Sequence, residues 1–113
     1  MGRSLGDLEQ LLLLALLRLD GEATGIRLLA ELEDRTGREL SPGALYNVMQ
    51  RLETRGLVSS SVGEESPSRG GRRRKIYRME PAGSQELAVA WGRVRDMAAG
   101  LESQLDALAP DNG

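Results

Sequence analysis

The sequence predicts a mainly α domain with a small β-hairpin, namely a winged helix-turn-helix followed by a long C-terminal dimerisation helix. Three observations predict it. Apolar residues recur with helical spacing in three segments before Gly56, the last two separated only by the short Gly-containing turn 37–40. Two β-compatible stretches, 57–62 and 75–79, then flank a segment rich in Gly, Ser, Pro and Arg. Finally, apolar residues keep a period of about 3.5 from Leu87 to Leu108. At 113 residues the chain has room for one core.

The first helix spans Asp7 to Leu19. Its apolar residues, Leu8, Leu11, Leu12, Leu14, Ala15, Leu16 and Leu17 among them, make a surface too wide for one stripe, so burial on more than one side is expected. Asp20-Gly21 stops it. A second helix begins near Thr24, with Ile26, Leu28, Leu29 and Leu32 apolar, and Gly37 caps its end. The third starts at Ser41, a good N-cap, with Pro42 at the first helical position, where a missing N–H costs nothing. Leu45, Val48, Met49 and Leu52 form its core face, and Arg55-Gly56 closes it with Leu57 as the accompanying apolar contact. Past the two strands, a last helix is expected from Pro81 to about Leu108. Leu87, Trp91, Val94, Ala98, Leu101, Leu105 and Leu108 lie alternately four and three residues apart, a coiled-coil seam. Such a helix would be about 42 Å long, more than a small domain covers, so part of the seam needs a second chain. The expected division is 1–80 for the winged helix-turn-helix and 81–113 for the dimerisation helix and tail.

Composition excludes most catalytic chemistry. The chain has neither Cys nor His, which removes disulfides, thiolate and imidazole metal sites, and every Ser-His or Cys-His pair; no metal or cofactor is expected. Paired carboxylates remain, but Glu64-Glu65 and the Glu31, Glu33, Asp34 cluster sit on solvent-facing segments with nothing to raise a carboxyl pKa. An enzyme is therefore not expected. The longest apolar run, Leu11 to Leu17, is too short to span a bilayer, and Asp7 and Glu9 stand where a signal peptide carries cations, so a cytoplasmic protein is expected.

Charge is segregated. Six cations and no acid lie between Arg69 and Arg78; set them aside and the rest of a chain of net charge −2 stands at −8. A strip of this kind suits phosphate or a narrow minor groove. The third helix offers a second suitable surface. Opposite its core face lie Gly43, Asn47, Gln50 and Thr54, flanked by Tyr46 and Arg51, with no carboxylate among them. Asn and Gln pair with adenine edges, Arg pairs with guanine or phosphate, and the first-turn N–H groups donate to phosphate. The candidate DNA-contacting set is Ser41, Pro42, Gly43, Tyr46, Asn47, Gln50, Arg51, Arg72, Arg73, Arg74 and Lys75. Trp91, the single Trp, is either interface packing or one wall of an effector site closed by Leu8, Leu12 and Ala15. A different class of function, an interaction module whose basic wing meets an acidic protein, is disfavoured by the acid-free face.

Several strings taken together resemble the PadR family of bacterial transcriptional regulators: the Leu-rich 11–17, Ser41-Pro42-Gly43-Ala44-Leu45-Tyr46, Arg51-Leu52-Glu53, Gly56-Leu57-Val58, Gly70-Gly71-Arg72-Arg73-Arg74, Tyr77-Arg78-Met79 and Pro81-Ala82-Gly83. The resemblance covers about residues 5 to 83, and the order of the strings makes it specific. It implies a winged helix-turn-helix homodimer that usually represses transcription, with recognition helix Pro42 to Arg55 and wing Gly63 to Arg74. The single helix after the wing resembles the compact subfamily, in which it is the dimerisation arm; some members place a small-molecule effector between subunits. Two positions depart from the pattern: Thr24, where an aromatic residue is common, and Glu80, where a Thr usually precedes Pro81. The expected partners are operator DNA, a second copy of the chain and a planar hydrophobic effector.

Overall fold

The computed structural model describes residues 4–63 and 74–110. Its elements are α1 (Asp7–Arg18), β1 (Glu22–Thr24), α2 (Gly25–Thr36), α3 (Pro42–Thr54), β2 (Val58–Val62), β3 (Lys75–Met79), α4 (Pro81–Ala98) and α5 (Glu102–Leu108).

Local chemistry explains the helix boundaries. The Gly6 N–H donates to Glu9 Oε1 at 2.7 Å, satisfying one free donor at the start of α1. Thr24 and Ser41 hydroxyls accept the Arg27 and Ala44 N–H groups at the starts of α2 and α3, and Pro42 takes the first helical position. Gly37 ends α2 with φ 72°, and Gly56 follows α3 with φ 76°. The Leu57 N–H then donates back to the Leu52 carbonyl at 3.0 Å while its side chain enters the core.

The helices and sheet enclose one aliphatic core, built on Leu12, Leu13, Leu16, Leu28, Met49, Leu52 and Val58. Tyr77 is its aromatic member. Although α1 meets α2, α3, α4 and the sheet, Leu14 and Leu17 remain on its exposed side, so its burial is less complete than its composition suggests.

Two expectations are corrected. The sheet has three strands rather than two, in the order β1-β3-β2, all antiparallel. Glu22, Ala23 and Thr24 pair with Arg78, Tyr77 and Ile76, so the turn after α1 becomes an edge strand through contact with a residue run more than fifty positions away. The last helix is also not continuous to Leu108. Ala99 is extended at ψ 126° and Gly100 is left-handed at φ 86°, which ends α4 and starts the separate seven-residue α5. The Gly100 N–H donates to Glu102 Oε1 at 2.9 Å. The expected seam is thereby split: Leu87, Trp91, Val94 and Ala98 lie on α4, whereas Leu105 and Leu108 lie on α5 and Leu101 at its start.

Candidate nucleic-acid interface

In α3, Leu45, Val48, Met49 and Leu52 point into the core, which turns Ser41, Pro42, Gly43, Tyr46, Asn47, Gln50, Arg51 and Thr54 outward. All eight are exposed, and no carboxylate is among them. A Cβ added at Gly43 would meet nothing within 4 Å, so this corner is open to a close backbone approach. Arg51 makes no ion pair with any described residue, leaving its guanidinium available.

The basic strip is described only at its edge. Arg72 and Arg73, like Arg69, Glu64 and Glu65, lie outside the described residues. Arg74 is half-buried, and its carbonyl accepts the Gly63 N–H at 2.7 Å, closing the root of the hairpin. Lys75 is drawn inward. Its Nζ lies 5.0 Å from the Tyr46 ring centre, 5.8 Å from that of Tyr77 and 4.0 Å from Glu53 Oε1. The Ser60 hydroxyl completes the cluster at 3.0 and 2.9 Å from the two Glu53 carboxylate oxygens. Burial pushes the Tyr77 hydroxyl above its ordinary pKa, and the nearby Tyr46 and Glu53 add to the shift.

Glu53, Ser60 and Tyr77 thus gather with Lys75 next to Tyr46, and none of the three is in the candidate set drawn from the sequence. A signal existed: Tyr46 and Glu53 are seven residues apart on α3, two turns along one face, and Lys75 and Tyr77 are two apart on a strand. Only the docking of that strand onto that helix brings the pairs together.

Leu12 and Ala15 are packed in the core and present no surface to an effector. Leu8 is half-buried, and Trp91 is 55% exposed. The Glu80 side chain makes no cap bond to α4 but accepts from Ser59 Oγ at 2.7 Å, tying the helix start to β2 instead. Thr24, besides capping α2, borders a cavity of ≈ 260 Å³ between α2, α3 and β3, which Ile26, Leu29, Tyr46 and Lys75 also line.

Comparison with known families decides the classification, because the Transcriptional regulator PadR-like family matches residues 13–89, from α1 through the first half of α4. The chain belongs to the PadR-like family. Its members are transcriptional regulators, not enzymes. Transcriptional regulator Rv3488 of Mycobacterium tuberculosis is 43% identical over 68 residues, which cover 60% of this chain and 59% of that relative. A PadR-family regulator from Eggerthella lenta superposes with a TM-score of 0.67 at 29% identity, covering 88% of this chain and 86% of that one. Bacillus subtilis PadR, solved in complex with operator DNA, shares the fold at a TM-score of 0.63 and 19% identity, over 74% of this chain and 47% of that one. The PadR-like fold here is a winged helix-turn-helix, with α2 and α3 as the helix pair and β2 and β3 as the wing strands. Among the described residues no helix is long and apolar enough to cross a membrane.

Proposed function

We propose that this PadR-like protein is a homodimeric, cytoplasmic transcriptional repressor that reads a pseudo-palindromic operator. In this reading α3 enters the major groove and the basic strip, Arg72 to Arg74, runs along phosphate. The observation that carries it is the outer face of α3: Tyr46, Asn47, Gln50 and Arg51 are all exposed with no acid among them, and the Glu53 carboxylate nearby lies 4.0 Å from the Lys75 ammonium. Operator binding by the structurally similar Bacillus subtilis PadR supports the same reading.

The dimer is supported by what the protomer leaves uncovered. Trp91, Val94, Met97, Leu101, Leu105 and Leu108 all expose apolar surface, with Met97 at 81%, and only Leu87 of the expected seam is taken into the core. A groove of ≈ 810 Å³ between the start of α1 and α4, bordered by Leu5, Gln10, Val89, Arg93 and Val94, offers room for a partner helix. Residues 81–113 act as the association arm and 1–80 as the DNA-binding unit. A planar hydrophobic effector would stack on Trp91 between protomers and release the operator by favouring a different spacing of the two α3 helices.

Binding-site selection from random duplexes tests the proposal. The expected product is a motif with two inverted half-sites about one helical turn apart. Recovery of no sequence above the random pool would contradict it.

A further inference from the structure

Lys75 is the single lysine of the chain, and it sits at the root of a basic strip where a phosphate contact is the simplest assignment. Its surroundings argue otherwise. The ammonium lies over the faces of Tyr46 and Tyr77 and within 4.0 Å of Glu53, and the side chains of Lys75 and Glu53 are each only 34% exposed. Glu53 is held in turn by Ser60, the cross-strand neighbour of Tyr77. The contacts form a closed loop from α3 to β3 to β2 and back to α3. The charge of Lys75 is matched by a carboxylate and two ring quadrupoles inside the protein, a partnership that a phosphate contact would have to break.

We infer that Lys75 is a positioning residue: it joins Glu53 and Tyr46 of the recognition helix to Tyr77 of the wing strand and thereby fixes the angle between wing and helix. Tyr46 is both a wall of this cluster and a member of the outer α3 face, so the Lys75 ammonium also sets where that ring stands beside Asn47 and Gln50. The inference rests on the DNA-reading role proposed for α3. It assigns Glu53 a positive contribution to DNA binding, the opposite of what a carboxylate beside phosphate would make by charge alone.

That sign supplies the test. On a duplex recovered by selection with the parent protein, affinity is measured across a salt series for Lys75→Met, Glu53→Gln, the double variant and Lys75→Arg, with circular dichroism to verify folding. Positioning predicts that Lys75→Met and Glu53→Gln each weaken binding, by about threefold to thirtyfold, and that the double variant is no weaker than the weaker single. The salt slope stays that of the parent, and Lys75→Arg, which keeps the cation over the rings, retains binding. A direct phosphate contact predicts instead that Lys75→Met flattens the slope by about 0.9 and that Glu53→Gln tightens binding. Binding by Glu53→Gln at or above the parent's affinity overturns the inference, as does parental affinity in Lys75→Met. If Lys75→Met does not fold, Glu53→Gln alone decides, since the two accounts give it opposite signs. Failure of the α3 reading is seen separately: an Asn47→Ala variant would then select the parent's sequence, whatever the sign at Glu53.

Discussion

Gly83 lies flush against the backbone of Leu57. A Cβ built at Gly83 would stand 2.2 Å from the Leu57 carbonyl oxygen and 3.0 Å from Met79 Sδ. The same carbonyl accepts the Glu80 N–H at 3.1 Å, so the first turn of α4 is pinned to the residue that opens the wing. In the sequence Gly83 is a weak spot, worth about 1 kcal/mol of lost helix propensity. In the fold it is the residue that lets the start of α4 sit against the Leu57 backbone.

Gly83→Ala is therefore expected to destabilise the protein, despite alanine's better helix propensity. Backbone, unlike a flexible side-chain tip, cannot step aside, and the net cost should be about 1–3 kcal/mol. Urea denaturation checks it. A variant as stable as the parent, or more so, would contradict the packing described.

The pH dependence of stability should carry a signature of Tyr77. Its hydroxyl titrates above the ordinary tyrosine value near 10, first because of burial and then because of Tyr46 and Glu53. Above about pH 10 the unfolded chain loses this proton while the folded one keeps it, so the stabilising contribution is intact below that pH and is lost as pH rises through the raised folded value. Tyr77→Phe should remove this alkaline loss. Phenolate absorbance showing Tyr77 ionised at or below pH 10 in the folded protein would contradict the assignment.

Val94 is 52% exposed on α4, with Met97 and Trp91 one turn away, so a charge there keeps access to solvent within a single chain. Val94→Asp should leave the protomer folded and abolish association, since an uncompensated carboxylate buried between two arms costs several kcal/mol. Sedimentation should then find a parent dimer and a variant monomer. A Val94→Asp dimer would place the contact elsewhere.

How much of this was readable from the chain varies with the range of the forces involved. The start of α3 was fully legible, because Ser41 and Pro42 act on the next few residues and nothing distant is needed. Strand β1 was not: three residues hold no periodic signal, and Ala23 becomes strand only by lying opposite Tyr77. The seam from Leu87 to Leu108 reads as one helix in the sequence because side-chain periodicity continues through Gly100, while the backbone does not. For the interface, the outward positions of Asn47, Gln50 and Arg51 followed from the core positions of α3. The inward turn of Lys75 did not, because it depends on Glu53 and Tyr46 meeting β3 across the fold.

Direct reading of bases by the outer face of α3 is tested by binding-site selection repeated with Asn47→Ala and Gln50→Ala. Each variant should keep the parent's salt slope yet lose preference at particular base pairs of each half-site, by about 1–3 kcal/mol at those positions. If both variants return the parent's motif at every position, α3 does not read sequence through these side chains.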